Sequence, residues 1–463
     1  MKVAIDKIKI TPKNYIGMQM AGYEIQDPCS GLLDDIHAHG VLIKSSNADI
    51  EQDYLLLLSL DLLKVPLSIA NYIKKKICSE IDNIKPEQIL IHSIHTHSAP
   101  DLTGEFYYTG SFLKGAMFGM NRNDKYVIYL IERIVQLTKT LFSKLIPCKI
   151  TWKKKIFNPE LVINRRHPTI TAKPELGVIL FKNIENNEKI GLIINYACHP
   201  VTLSYENSKM SADYPGRIIH HINELTNNKI KAVYFNGPSA DLNPITTCGT
   251  DYEKLEQDLK LVYDQHGTYE HTEKLGKLLA KEALELAESI ENNELYEIID
   301  ISCVIRDFSV PFKDFKYFGK PWFQNKLFHS LKKLIIIPVL KTASANANFP
   351  AFTITSRRFR TMCHTKIQYI KIKTKSNSHS KELNIITTPG ELIEALGKKL
   401  LKFSPIESEN TFIFQNSNDW IGYLLSKYEY TEYGGYEPIA SFSPVIGEIV
   451  VSEVLNLFNE LDL

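Results

Sequence analysis

No stretch of these 463 residues is apolar for long enough to cross a bilayer; a spanning helix needs about 18 or more consecutive apolar residues. The N-terminus, Met1-Lys-Val-Ala-Ile-Asp-Lys-Ile-Lys, carries a charge every few positions, so it lacks the apolar core of a signal peptide. An excess of one charge is missing too. The chain has 54 Lys and Arg against 53 Asp and Glu, a formal net charge of +1, which argues against nucleic acid as a partner. Cysteine is scarce: seven residues (Cys29, Cys78, Cys148, Cys198, Cys248, Cys303, Cys363) are scattered without a C-x-x-C pair. That excludes a disulfide framework and a cysteine-rich zinc module, and it reads as reduced thiols in a cytoplasmic protein. Internal repeats and low-complexity tails are absent. What remains, 44% hydrophobic and 23% charged, is ordinary for a globular enzyme with a large core.

Strand-like and helix-like segments alternate along the chain. Asp53-Tyr-Leu-Leu-Leu-Leu-Ser-Leu-Asp61, Gln88 to Ile91, Leu176 to Phe181, Lys189 to Tyr196 and Ile230 to Asn236 are short apolar runs of the kind that form buried strands. Val65 to Glu80, Lys125 to Leu145 and Glu270 to Glu291 space their apolar residues at helical intervals. This order predicts an α/β fold, mixed sheets flanked by helices, with functional residues gathered in strand-end loops.

Two strand ends carry histidine. The first is His92-Ser-Ile-His95-Thr-His97-Ser-Ala-Pro-Asp101. On an extended backbone His95 and His97, two apart, face the same way, so the pair can share a metal or divide metal binding from proton handling. The second is Asn195-Tyr-Ala-Cys-His199-Pro200, where proline stops the strand. Each histidine alone also reads as an ordinary strand-end residue. Together they match the way zinc enzymes draw ligands from separate strand ends and leave one position open.

Further short motifs follow in a fixed order: Val3 to Thr11-Pro12, Met20-Ala-Gly22-Tyr23, Asp35-Ile-His37-Ala38, Asn164-Arg165, Ser211-Ala-Asp213-Tyr-Pro-Gly216, Asn236-Gly-Pro-Ser239-Ala-Asp241-Leu-Asn243-Pro244, Thr388-Pro-Gly390-Glu391 and Gly435-Tyr436-Glu437. With the histidines, this series resembles the catalytic domain of the neutral, non-lysosomal ceramidases, which are zinc-dependent amide hydrolases. The resemblance runs to about residue 440 and implies one ceramidase-like domain over residues 1–463, without the C-terminal β-sandwich of secreted ceramidases. It places zinc on His95, His199, Glu391 and Tyr436. It gives His97 a proton-transfer or oxyanion role and makes Arg165 a substrate contact.

Read without the resemblance, Glu391 is a carboxylate at the start of a helix, Tyr436 is an aromatic in a glycine-rich loop, and of Arg165 and Arg166 one faces inward and one faces solvent. The chain departs from the ceramidase pattern at Asn243, where that family carries its nucleophilic serine. An amide side chain cannot attack. Metal-activated water, with Asp241 and Asn243 holding substrate or water, is the favoured substitute; Ser239 as nucleophile is the other. The expected function is therefore zinc-dependent cleavage of an amide (N-acyl) bond in a small or amphiphilic substrate. The alternatives are an intracellular ceramidase acting on N-acylsphingosine and a non-enzymatic zinc-containing binding protein. A basic, aromatic segment at residues 312–341, with Lys332 and Lys333, reads as an inserted packing element or as a peripheral membrane contact.

Overall fold

The computed structural model describes residues 1–23, 26–46, 54–104, 123–247, 267–290, 295–311, 362–376, 379–433 and 437–461. Tyr436 and the segment 312–341 lie outside the described residues.

Eight strands form the main sheet: β1 (Lys2–Lys9), β2 (His37–Lys44), β3 (Tyr54–Leu60), β4 (Ile89–Ser93), β5 (Ile146–Ile156), β6 (Glu175–Asn183), β7 (Lys189–Tyr196) and β8 (Lys231–Asn236). Their spatial order is β8-β7-β6-β5-β1-β2-β3-β4. The two outermost pairs, β3 with β4 and β7 with β8, run parallel, and the interior pairs run antiparallel. β3, Tyr-Leu-Leu-Leu-Leu-Ser-Leu, is buried along its whole length, as an apolar run covered on both faces requires.

Helices α1 (Leu67–Glu80) and α2 (Asp124–Ser143) pack on one half of the outer face of this sheet. α3 (Asp213–Leu225) and α4 (Tyr269–Glu288) pack on the other half. The opposite face of the sheet meets a second sheet of β9 (Glu297–Pro311), β10 (Met362–Lys375), β11 (Ser380–Thr387) and β12 (Thr411–Phe414), in that order. The core between the sheets is built from Val41, Leu57, Ile193, Phe235, Ile370, Ile385 and Phe412, among others. α5 (Glu394–Lys402) and α6 (Ile446–Leu461) cover the far side of the smaller sheet. The result is four layers, helices, sheet, sheet and helices, which matches the mixed α/β expectation.

Three parallel strand pairs, β3–β4, β7–β8 and β11–β12, are each joined through a helix, α1, α3 and α5. A βαβ crossover leaves a loop beyond the carboxyl end of its strands, where α/β proteins place their chemistry. His95 lies past β4, His199 past β7, Asp241 and Asn243 past β8, and Glu391 past β11. Among the described residues no helix is long and apolar enough to cross a membrane.

Candidate metal centre

His95, His97 and His199 form one group in which a ring nitrogen from each lies within 4.8 Å of the others. All three are buried. The rings meet edge to face, with centroids 4.7 Å apart for His95 and His199 and 5.2 Å apart for His95 and His97. The pairing of His95 with His97 does not use strand alternation, as their spacing suggests. β4 has already ended, and His95 takes a left-handed backbone, φ 69°, an uncommon conformation for histidine. Two bonds hold this turn against the loop after β3: Ile94 N–H donates to the Leu60 carbonyl and His95 N–H to the Leu62 carbonyl, each at 2.9 Å. Backbone strain of this kind gathers at functional sites.

The ring tautomers follow from the neighbours. His95 Nδ1 is 2.8 Å from the Leu63 carbonyl, and His199 Nδ1 is 3.2 Å from the Ser239 carbonyl. A carbonyl only accepts, so each Nδ1 carries the proton and each Nε2 presents a lone pair. Both Nε2 atoms point to the same carboxylate oxygen, Glu391 Oε2, at 3.3 Å from His95 and 3.6 Å from His199. The other oxygen of Glu391 accepts from the Trp420 indole N–H at 2.9 Å. His199 Nε2 and Glu391 Oε2 are buried without a hydrogen-bond partner. Three acceptors thus face one another with no proton donor between them. That arrangement is unfavourable as it stands and fits a cation held by two imidazoles and a carboxylate.

Electrostatics agree with that donor set. Burial is the largest cause that pushes His199 well below its ordinary value, and the Arg165 charge adds to it, so it stays neutral. Burial alone would raise Glu391, but His95, Arg165 and the Trp420 bond outweigh it and hold the carboxylate below its usual range. His97 is likewise neutral, lowered first by burial and then by His95 and Arg165. Neither of its ring nitrogens has a partner among the described residues. Its position is set from outside the ring: Gln26 Nε2 donates to its backbone carbonyl at 3.0 Å, and Tyr23 packs edge-on at 4.7 Å.

Glu391 corrects the helix-start expectation. It sits in a two-residue strand paired with Tyr423, and α5 begins only at Glu394. The carboxylate serving the start of α5 is that of Asp241, whose Oδ1 accepts from Glu394 N–H at 2.7 Å. Asp241 Oδ2 accepts from Asn164 Nδ2 at 2.9 Å. Both of its oxygens are therefore committed to bracing loops, and burial raises its pKa. Asn243 is buried; its Nδ2 donates to the Thr247 carbonyl at 2.6 Å, while its Oδ1 has no partner. The Ser239 hydroxyl accepts from Gln415 Nε2 at 2.7 Å, and among the described residues no histidine bonds to it.

The expectation that one of Arg165 and Arg166 faces solvent is overturned: both are buried, 4% and 1% exposed. Glu437 explains why. One of its oxygens lies 3.3 Å from Arg165 Nε and the other 2.6 Å from Arg166 Nη1. Arg166 also donates to the Glu429 carboxylate at 2.7 Å, and its carbonyl accepts from the Tyr433 hydroxyl. This ionic net fastens the chain on both sides of Tyr436. Arg165 Nη2 donates to the Ala240 carbonyl at 2.7 Å, and its guanidinium lies over the Tyr423 ring.

Sequence reasoning missed Trp420, Gln415 and Glu429, and gave Glu437, quoted in the Gly435-Tyr436-Glu437 motif, no role. Gln415 accepts from Ser239 N–H and Leu392 N–H, tying the loops after β8 and β11 together. The polar run Gln415-Asn-Ser-Asn-Asp-Trp420 is fully buried in the structure, but a polar run after an apolar strand reads from sequence only as a turn, so it carried no distinct signal.

No protein-family model matches the chain, and no curated protein matches it by sequence. Solved structures do. A neutral ceramidase from Pseudomonas aeruginosa aligns over 99% of this chain and 74% of its own, with a TM-score of 0.67 and 15% identity. A ceramidase complexed with C2 aligns over 100% of this chain and 75% of its own, with a TM-score of 0.71 and 15% identity. The fold is that of the neutral ceramidases. At this identity the likeness to those ceramidases concerns architecture, and the chemistry rests on the residues.

Proposed function

We propose that this protein is a zinc-dependent hydrolase of amide (N-acyl) bonds in small or amphiphilic substrates, with zinc held by His95, His199, Glu391 and Tyr436. The observation that carries the reading is the convergence of the two Nε2 lone pairs and Glu391 Oε2 on one buried point. When bound, zinc supplies Lewis acidity toward a carbonyl oxygen and toward water. The ceramidase fold supports the amide class, because the solved neighbours are ceramidases.

The chain's own residues supply the rest. His97, neutral and with both nitrogens unpartnered among the described residues, takes a proton at one ring nitrogen and passes it to the leaving amine. Asn243 Oδ1 accepts a hydrogen bond from substrate or water at the site wall. Arg165 contributes a fixed positive charge, which stabilises developing negative charge on the substrate. Asp241 orients these loops. The Ser239 hydroxyl, engaged by Gln415, stays out of the reaction.

Metal content by mass spectrometry tests this reading. About one zinc per chain is expected in the parent and at least tenfold less in Glu391→Gln, which keeps the Trp420 contact. Turnover of a fluorogenic N-acyl amide should vanish on chelation and return with zinc. Zinc-free, well-folded parent protein would refute the metal, whereas zinc without turnover on any amide would favour a binding protein.

A further inference from the structure

A second group of metal-ligating side chains lies on the neighbouring strands β2 and β3. His37 and His39 are two residues apart within β2, so strand alternation turns both rings to one face. Asp61 follows β3 directly and stands opposite His37. Its N–H donates to the His37 carbonyl at 3.0 Å, and its Oδ2 accepts from His37 N–H at 2.7 Å. The second bond fixes the carboxylate, as hydrogen bonds to a ligating carboxylate do. His39 Nε2 lies 3.3 Å and His37 Nδ1 4.0 Å from the same Oδ2. The three residues bring one donor atom each within 4.8 Å of one another.

These spacings suit a shared cation better than a hydrogen bond. An imidazolium donating to a carboxylate closes to about 2.8 Å, and neither ring does so. Bonds of about 2.1 Å from a metal to each donor separate the donors by about 3 to 4 Å. The histidine centre shows the same pattern, with its two Nε2 atoms 3.3 and 3.6 Å from Glu391 Oε2. Among the described residues no ammonium pairs with Asp61. Lys9, across from His37 on β1, is tied to Asp35 at 2.7 Å, and Lys7, across from His39, is exposed. The His39 and Asp61 side chains are buried, whereas that of His37 is 21% exposed. The site therefore has a protein wall and one open side, for entry of an ion and for water.

We propose that His37, His39 and Asp61 bind a second divalent transition-metal ion, of the zinc and cobalt class. Two imidazoles and one carboxylate favour such a cation over magnesium or calcium, which take oxygen donors. With three protein donors and an open side the site is exchangeable, and it fills when metal is supplied. Its effect is on the loop after β3. Asp61 lies between Leu60 and Leu62, whose carbonyls accept from Ile94 N–H and His95 N–H, and the Leu63 carbonyl meets His95 Nδ1. An ion on Asp61 pins the loop that holds His95 in place.

Equilibrium dialysis of the full chain, as purified, against cobalt chloride tests the site, with cobalt and zinc counted by mass spectrometry. The parent should take up about one cobalt per chain in addition to its zinc. Glu391→Gln, which removes a donor of the histidine centre, should keep that cobalt. His37→Gln should weaken its uptake at least tenfold. Asp61→Asn, whose amide oxygen still accepts from His37 N–H, should do the same, and both losses should recur in the Glu391→Gln background. A parent that takes up no saturable cobalt, or uptake that survives both His37→Gln and Asp61→Asn, would overturn the proposal. Cobalt lost in Glu391→Gln but kept in His37→Gln belongs to the histidine centre and overturns it as well. A chain purified without zinc that still takes up cobalt sensitive to His37→Gln would refute the zinc reading of the histidine centre while supporting this site.

Discussion

Gly22 shows how tightly single residues are specified around the histidines. Its backbone sits at φ 136°, and a Cβ placed there would fall 2.5 Å from the His97 ring. Glycine is thus required twice, for a conformation that other residues rarely adopt and for the approach of the ring. Because His97 makes no side-chain hydrogen bond among the described residues, packing by Gly22 and Tyr23 is what orients it. Gly22→Ala should therefore leave zinc content unchanged while lowering kcat/KM on an N-acyl amide by at least tenfold, the scale expected when a proton-transfer group is displaced. Unchanged kinetics in a stably folded Gly22→Ala protein would remove His97 from the reaction. His95 and His199 were legible in the sequence because both follow an apolar strand directly. Their tautomers were not, since those depend on the Leu63 and Ser239 carbonyls, contributed by other loops.

Loops and strands set the next level, and here Arg165, Arg166, Glu429 and Glu437 act together. The short strand Val162–Asn164 pairs with Leu242–Pro244, which delivers both arginines to the carboxylates of the segment around Tyr436. A buried carboxylate shared by two guanidiniums is costly to break, because the charges left behind stay out of water. Glu437→Gln should lower stability by about 3 kcal/mol, read as a shift of the denaturation midpoint in urea. Zinc affinity should fall with it, since Glu437, next in sequence to the proposed ligand Tyr436, loses its ionic partners; a fall in stability with zinc affinity intact would dissociate this net from the metal centre. The major strands and helices were readable from periodicity: α1, α2 and α4 lie within a few residues of their expected spans. The ionic net was not, because a strand reading of Asn164-Arg165-Arg166 puts adjacent side chains on opposite faces. The chain instead turns there, with Asn164 Oδ1 accepting from Arg166 N–H and His167 N–H at 3.0 Å each.

For the whole molecule the same burial makes stability depend on pH. His92 is fully enclosed between the sheets. Its Nδ1–H meets the Ser59 hydroxyl at 2.9 Å, that hydroxyl donates to the Tyr234 carbonyl, and its Nε2 accepts from Asn236 N–H at 3.1 Å. A second proton has nowhere to go without breaking the Asn236 bond, and burial pushes the ring down to about 3. His37, the first residue of β2, is pushed down to about 4 by burial and by His39. In the unfolded chain both return to an ordinary value near 6.5. Between that value and the folded one the unfolded state binds more protons, so stability is lost as pH falls. From pH 7 to pH 5 each histidine should cost about 2 kcal/mol. Asp34 runs the opposite way: burial raises it to about 6, its penalty eases as pH falls, and it offsets about 1 kcal/mol over the same interval. These three groups together contribute a loss of about 2 to 3 kcal/mol between pH 7 and pH 5. In the metal-free protein His97 and His199, lowered likewise, add to it, and Asp213 and Asp241, raised by burial, oppose it; urea denaturation measures the sum. His92→Gln should be less stable at pH 7 yet flatter with pH by about 2 kcal/mol across that range. Profiles that stay parallel for parent and variant would show that His92 does not set the acid limit of this fold.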